Sequence, residues 1–374
     1  MNDSTVSGIT RLARAATLGM EPYVWEAANH EIAARYGLDP SAVVRFDTNT
    51  SPLPPPCLDP VLDLIRRVPA VHEYFDGSYA ALADALVDYT GFSPDRMVIG
   101  AGADEILDVL AKTFFNPGDR VVIPSPTYAV YRIVSRIMDA AVEVLPARPD
   151  LSFDVDAIIA AARGAKALFL CNPNNPTGMA LPLAEVARLV RSVDCLVIVD
   201  EAYFEFTGES AAPLIRDEPR LIVVRTFSKA FSLAGARIGY ALCDPQAAGL
   251  ANRMRPPNSI SYISAMLAEA AARDLAAMHE NVARLSAERT WLTEALRDLG
   301  LTVTPSRANF LLTRLPSVEA AEAAAEVVLR RGLVPRTYPG HPILGSHLRF
   351  TVRTRPENEA LVAALGAIVP AGRA

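Results

Sequence analysis

At 374 residues, with 51% hydrophobic and 21% charged residues, the chain can bury a large core and is long enough for two domains. Its formal charge of −6 comes without a basic block or an alternation of basic and aromatic residues, which argues against a nucleic-acid partner. No apolar run reaches the length of a membrane span, and residues 1–19 hold no continuous apolar stretch ahead of a cleavage site, so neither a membrane anchor nor a signal peptide is expected. Cys57, Cys171, Cys195 and Cys243 are widely spaced and form no metal-ligand pair, which reads as free thiols in a reducing cytoplasm. The five histidines lack metal spacing as well, so no metal is expected.

In chain order, residues 1 to about 20 read as a loosely held arm, and 23–36 have helical spacing that ends at Gly37. A short strand then runs into Asp47-Thr48-Asn49-Thr50-Ser51-Pro52-Leu53-Pro54-Pro55-Pro56. This segment cannot be helical, because each proline removes a donor and restricts its predecessor. From residue 78 the pattern alternates. Helices are expected at 78–90, 103–115, 127–138, 154–163 and 182–192, and strands at 97–100, 121–123, 142–145, 167–170, 196–199, 221–225 and 236–242. Short Val/Ile/Leu runs between amphipathic helices predict a mostly parallel seven-stranded sheet covered on both faces. Helices dominate 245–299. Strands at 301–304, 309–313 and 347–352 and helices at 317–330 and from Pro356 suit a smaller α+β domain. The expected division is an arm and small-domain segment at 1–48, a large domain at 49–250 and a small domain at 251–374.

The chemistry concentrates where the predicted strands end. Only three lysines occur, and Lys229 alone follows a strand and stands among small and hydroxyl residues, in Thr226-Phe227-Ser228-Lys229-Ala230, with Arg237 eight positions on. A lysine amine condenses with an aldehyde, and nearby positive charge or desolvation keeps it nucleophilic. Hydroxyls and an arginine suit a phosphate dianion. Together they fit pyridoxal phosphate (PLP), an aldehyde that carries a phosphate.

Four further segments bear on this reading. Gly100-Ala101-Gly102-Ala103-Asp104 opens a helix whose free N–H groups can bind an anion, or it is an ordinary glycine turn. Tyr128 could stack on an aromatic ring or pack in the core. Asn172-Pro173-Asn174-Asn175-Pro176-Thr177-Gly178 is dense in turn residues. Asp200, at the end of a buried strand, needs a partner such as a protonated pyridine nitrogen, or else caps a helix. Tyr203 follows three residues on.

Asn-Pro-Asn-Asn-Pro-Thr-Gly, Asp-Glu-Ala-Tyr and Ser-Lys-Ala-Phe-Ser-Leu-Ala-Gly-Ala-Arg, in this order and spacing, resemble the fold type I PLP-dependent aminotransferases of class I/II, and most closely the histidinol-phosphate aminotransferase branch. The resemblance runs from about Tyr23 to Leu365. It implies that Lys229 carries PLP covalently and moves the proton, that Asp200 pairs with the ring nitrogen, that Asn175 and Tyr203 bind the ring's O3′ and that Tyr128 stacks on the ring. The phosphate would lie on Thr226, Ser228, Arg237 and the backbone of Ala103 and Asp104. Tyr74 would serve the neighbouring subunit, which implies a homodimer with shared active sites. Arg349 matches the arginine that grips the α-carboxylate in aminotransferases, and Arg336, thirteen residues earlier, would either help bind a substrate phosphate or lie on the surface. Tyr23 and Asn49 would also face the substrate. The implied reaction is ping-pong transfer of an amino group from histidinol phosphate to 2-oxoglutarate.

The chain departs from the branch at three places. Asn-Glu-Asn-Pro reads Asn49-Thr50-Ser51-Pro52, Tyr-Pro-Asp reads Tyr74-Phe75-Asp76, and a glycine expected near 353 is Arg353. The alternatives are therefore an aromatic or other aminotransferase of a specialised pathway and a phosphothreonine-type decarboxylase. A transcriptional effector domain is disfavoured, because the roughly twenty residues before Tyr23 cannot hold a helix-turn-helix.

Overall fold

The computed structural model describes residues 8–20, 26–68 and 70–367. A short turn of helix, α1 (Ala15–Leu18), precedes α2 (Asn29–Tyr36), β1 (Val44–Arg45), α3 (Leu58–Arg67) and α4 (Ala80–Thr90). Then come β2 (Met97–Gly100), α5 (Gly102–Phe114), β3 (Arg120–Ser125), α6 (Val130–Ile137), β4 (Ala141–Pro146), α7 (Val155–Ala162), β5 (Ala167–Cys171), α8 (Leu183–Ser192), β6 (Leu196–Asp200), β7 (Leu221–Thr226) and β8 (Gly239–Leu242). The chain continues with α9 (Pro245–Met254), α10 (Tyr262–Arg273), α11 (Leu275–Asp298), β9 (Thr302–Val303), β10 (Phe310–Arg314), α12 (Val318–Leu329), β11 (Leu333–Val334), β12 (His347–Thr351) and α13 (Arg355–Gly366).

Seven strands form the expected sheet in the order β2-β8-β7-β6-β5-β3-β4. Only β8 runs against its neighbours, β2 and β7. The strands from β7 to β4 are parallel. Their residues are apolar in succession because both faces are covered: Val197, Val199 and Val223 point into one core, and Ile198, Ile222 and Val224 into the other. Each such fully buried side chain contributes roughly 1.5–3 kcal/mol. The parallel arrangement brings the carboxyl ends of β3, β5, β6 and β7 to one edge. Because β8 is antiparallel, its first residue, Gly239, joins that edge opposite Gly100 and Thr226.

A second core gathers Phe46, Leu292, Leu296, Leu311, Phe350 and Leu361 around the antiparallel sheet β12-β10-β9. Helix α11 joins the two cores, with Met278 and Leu285 in the first and Leu292 and Leu296 in the second. The expected boundary at residue 250 falls inside α9, and α10 beyond it still packs on α3 and α4.

Four local features differ from expectation. Residues 26–28 are not helical, because α2 begins only where Glu31 turns back to accept the Ala28 N–H at 2.7 Å. The strand expected at 236–242 starts at Gly239, since residues 234–236 form a 3-10 turn and Arg237 takes a left-handed φ of 54°. Helix α3 was not anticipated, although its Pro60 lies in the first turn, where a missing N–H costs little. The short parallel pair of β1 with β11 was also missed, because two residues give no readable alternation.

Candidate active site

The edge of strand ends carries most of the predicted residues. Asp200 is the last residue of β6 and is 3% exposed. Its Oδ2 accepts the Tyr131 hydroxyl at 2.7 Å and its Oδ1 accepts the Ala202 N–H at 3.0 Å, so both partners are neutral. Burial pushes its pKa up to about 6 against the pull of these two hydrogen bonds, and the charges of Asp104 and Glu201 push the same way. Tyr203 is buried, accepts the Asn49 side-chain N–H at 3.0 Å and meets Phe310 edge-on at 5.2 Å. Lys229 follows β7, and its Nζ donates to the Thr48 carbonyl at 3.4 Å. Desolvation lowers its pKa to about 8, helped by the positive charges of Arg349 and Arg237 and opposed by Asp104 and Asp200.

Arg349 enters from β12. One guanidinium nitrogen donates to Asn175 Oδ1 and the other to the Asp47 carbonyl. Its Nε is buried and has no partner among the described residues. Asn49 is 2% exposed. Its backbone N–H donates to Thr351 Oγ1 at 2.9 Å, and its carbonyl accepts from Asn309 at 3.0 Å. The loop carrying Asn175 is tied to the loop after β3 by Asn174, which donates to the Pro126 carbonyl at 2.9 Å and accepts the Thr127 hydroxyl at 2.7 Å.

A second cluster surrounds the start of α5. Tyr128 donates its hydroxyl to Asp104 Oδ1 at 2.8 Å, and Arg237 reaches Asp104 Oδ2 at 3.1 Å. The buried hydroxyls of Thr226 and Ser228 lie 2.9 Å apart. The backbone is open here by necessity. Gly102 has φ of +86°, and a Cβ on Gly239 would lie 2.5 Å from Ala103 N and from the Gly102 carbonyl carbon. Gly239→Ala is expected to destabilise the protein by about 1–3 kcal/mol and to weaken phosphate-ligand binding at this cradle at least about tenfold. Thermal melting with and without cofactor checks this, and wild-type cofactor affinity in the variant would count against the cradle.

One predicted residue stands apart. Tyr74 is 93% exposed and contributes nothing to the cluster in its own chain. Tyr23 lies outside the described residues. Arg336 pairs its backbone with Arg349 and its guanidinium with Glu26. Sequence reasoning missed Tyr131 and Glu26, and gave no role to Glu105 at the acidic helix start. The last holds the glycine turn by accepting Ala101 N–H at 2.6 Å and the Ser259 hydroxyl at 2.7 Å. Tyr131 could have been found as the residue three after Tyr128 within the helix expected at 127–138, although α6 begins only at Val130.

The residues present fit PLP on two observations. The Asp200 carboxylate is desolvated and touches only neutral donors, so a protonated ring nitrogen would supply the missing cation. The N-terminus of a 13-residue helix, two buried hydroxyls and Arg237 converge where a phosphate would sit.

The comparisons agree with this geometry. The profile of the family described as "Aminotransferase class I and II" matches residues 42–365. A histidinol-phosphate aminotransferase of Methanothermobacter thermautotrophicus is 34% identical over 359 residues, covering 94% of this chain and 95% of that protein. One from Symbiobacterium thermophilum is 36% identical over 365 residues, covering 94% and 98%. The crystal structure of histidinol-phosphate aminotransferase from Sinorhizobium meliloti in complex with pyridoxal-5′-phosphate superposes with a TM-score of 0.88 at 25% identity, covering 98% of this chain and 99% of that one. The chain belongs to the class I and II aminotransferases. Enzymes of this class transfer amino groups with PLP as cofactor, and this chain is one of them.

Proposed function

We propose that this aminotransferase moves the amino group of histidinol phosphate to 2-oxoglutarate in a ping-pong cycle, as a homodimer of the cytoplasm. The observation that carries the reading is the pairing of Arg336 with Arg349 on one side of the site, two adjacent guanidinium forks suited to the phosphate of the donor and the carboxylate of the acceptor in turn. The names of the 34–36% identical relatives support the same donor.

PLP, when bound, supplies an aldehyde for the incoming amine and an electron sink for the pair left at the donor's Cα. Lys229 is the residue that would carry the cofactor and, once freed as an amine, would act as the base for the donor's Cα proton. Its pKa of about 8 leaves a usable fraction neutral near pH 7. Asp200 would pair with the protonated ring nitrogen, and Tyr131 keeps the carboxylate oriented. Asn175 and Tyr203 would bind O3′, Tyr128 would stack on the ring, and Thr226, Ser228, Arg237 and the N–H groups of Ala103 and Asp104 would hold the phosphate. Arg349 orients the acceptor's carboxylate. The buried Nε of Arg349 has an open hydrogen bond for a ligand. A second copy is supported by Tyr74, whose ring is exposed at 93% beside the exposed Val68 and Val71.

The test is a half-reaction. Histidinol phosphate is added to the PLP-loaded protein without a 2-oxo acid, and the visible cofactor band is followed. Conversion to pyridoxamine phosphate within the mixing time of a turnover is expected. An unchanged band with histidinol phosphate, but bleaching by phenylalanine or another amine, would discard this donor. Carbon dioxide release would mark a decarboxylase. The second reading, a donor without phosphate, is favoured by one observation: Arg336 already has a carboxylate partner, Glu26.

A further inference from the structure

Arg336 and Arg349 stand directly opposite each other in an antiparallel bridge, each N–H donating to the other's carbonyl at 3.0 Å. Residues opposed in this way send their side chains to the same face, with Cβ atoms roughly 5 Å apart. Arg349 reaches Asn175 and the Asp47 carbonyl, so Arg336 leaves the bridge on the side of the site. Its Nη1 meets the carboxylate of Glu26, with the two side chains 37% and 34% exposed.

The segment next to Glu26 is docked independently of that contact. Arg45 Nη1 donates to the Ala27 carbonyl at 2.6 Å and to Asn29 Oδ1 at 3.2 Å. Arg45 is itself held by both oxygens of Asp47, at 2.8 and 2.6 Å. The Ala28 N–H donates to Glu31 Oε2 at 2.7 Å. Glu26 is thus not required to fix the backbone beside it. Its carboxylate occupies the anion-binding edge of Arg336 from a tethered position, at high effective concentration. A rotation of the side chain alone would vacate that edge.

We infer that Glu26 sets how strongly the site prefers a phosphorylated donor: it fills the Arg336 fork as a resident carboxylate, and the donor's anionic tail must displace it. The inference rests on the reading that Arg336 takes the phosphate of the donor. A phosphate dianion brings more charge and more acceptor oxygens to the fork than the carboxylate it replaces. A carboxylate tail only equals the resident, which is tethered and therefore wins. A neutral tail gains nothing from Arg336. The pair thereby weakens every anion that must displace Glu26 by one common factor and leaves a neutral tail unaffected, which holds the preference for the phosphorylated donor below what a free Arg336 would give.

The test uses the PLP-loaded, full-length protein with Glu26→Gln, Arg336→Ala and the double variant. Calorimetric titration with inorganic phosphate reads the fork without turnover. Glu26→Gln is expected to tighten phosphate binding roughly three- to fivefold, the range a half-exposed ion pair supports. In the Arg336→Ala background the same substitution should have no effect, as a double-mutant cycle requires. Kinetically, the ratio of KM for histidinol to KM for histidinol phosphate should rise by the same factor in Glu26→Gln. Equal or weaker phosphate binding by Glu26→Gln overturns the inference. If Arg336→Ala raises the KM of histidinol phosphate while Glu26→Gln changes nothing, only the role of Glu26 falls. If Arg336→Ala leaves that KM unchanged, the phosphate reading of Arg336 falls, and the role of Glu26 falls with it.

Discussion

Lys229→Ala is expected to abolish transamination, with kcat lower by at least roughly 10⁴-fold, while PLP still binds. Two functions are lost together: the covalent hold on the cofactor and the base that moves the Cα proton, the second alone contributing about 10²–10⁴-fold. Binding survives because the cradle around α5, the hydroxyls of Thr226 and Ser228, and Asp200 are all separate from the amine. Absorbance of the reconstituted variant should show the free aldehyde form in place of the lysine-linked one. A small amine added to the buffer should restore a minor part of the proton transfer. No other lysine stands near enough to substitute, since Lys112 pairs with Asp108 on α5 and Lys166 precedes β5. An alanine variant with wild-type turnover would remove Lys229 from the mechanism.

Asp200→Asn should give opposite results with and without cofactor. In the protein without PLP the carboxylate is buried against neutral donors, and its pKa is pushed up to about 6 from an ordinary 3.8. Below pH 3.8 it is neutral in both folded and unfolded chains, and the burial costs little. Between 3.8 and 6 the folded chain binds the proton more tightly, so this group's contribution to stability falls as pH rises, and above 6 the full cost persists. Asparagine has the same shape and no charge. The cofactor-free variant should therefore be more stable at pH 7 by on the order of 2 kcal/mol, with no difference at pH 3.5 if the fold survives there. With PLP the sign reverses, because the carboxylate then has a cation to hold. Cofactor affinity should drop, and kcat should fall roughly 10²–10³-fold, the scale of losing one preorganised charge partner at a reacting centre. Melting curves at two pH values, with and without PLP, read all of this. A cofactor-free variant that melts below wild type at pH 7 would contradict the electrostatic account of Asp200.

Tyr131 shows why part of the site was invisible before folding. Its hydroxyl lies on Asp200, 69 residues away, and its ring stacks on Phe169 at 5.0 Å. A buried tyrosine on an amphipathic helix has the same sequence signature whether its hydroxyl supports a catalytic carboxylate or meets a backbone carbonyl. Glu26 is a stronger case, since 310 residues separate it from Arg336. Asn49 joins the site through contacts no local pattern shows: its side chain donates to Tyr203 and its backbone is clamped by Thr351 and Asn309. The replaced glycine at Arg353 also has a local account: its guanidinium pairs with Glu357 one turn on, at 2.8 Å, within the capping box that opens α13.

The sequence by itself determined the parts that depend on near neighbours. Continuous Val/Ile/Leu runs specified buried parallel strands, because a strand covered on both faces has no polar side to show. The reactive types followed those strands directly: Lys229 after β7, Asp200 at the end of β6 and Asn175 after β5. The lysine, hydroxyls and arginine of residues 226–237 pointed to an aldehyde-and-phosphate cofactor, and the family resemblance assigned the other two their roles. Only the tertiary structure decided how these ends face one another. The reversed direction of β8 sets Gly239 against the start of α5, the Arg336–Arg349 bridge turns both forks to one side, and a docked strand of backbone near residue 27 brings Glu26 onto Arg336. These contacts join residues tens to hundreds of positions apart, and each depends on packing that no local periodicity encodes.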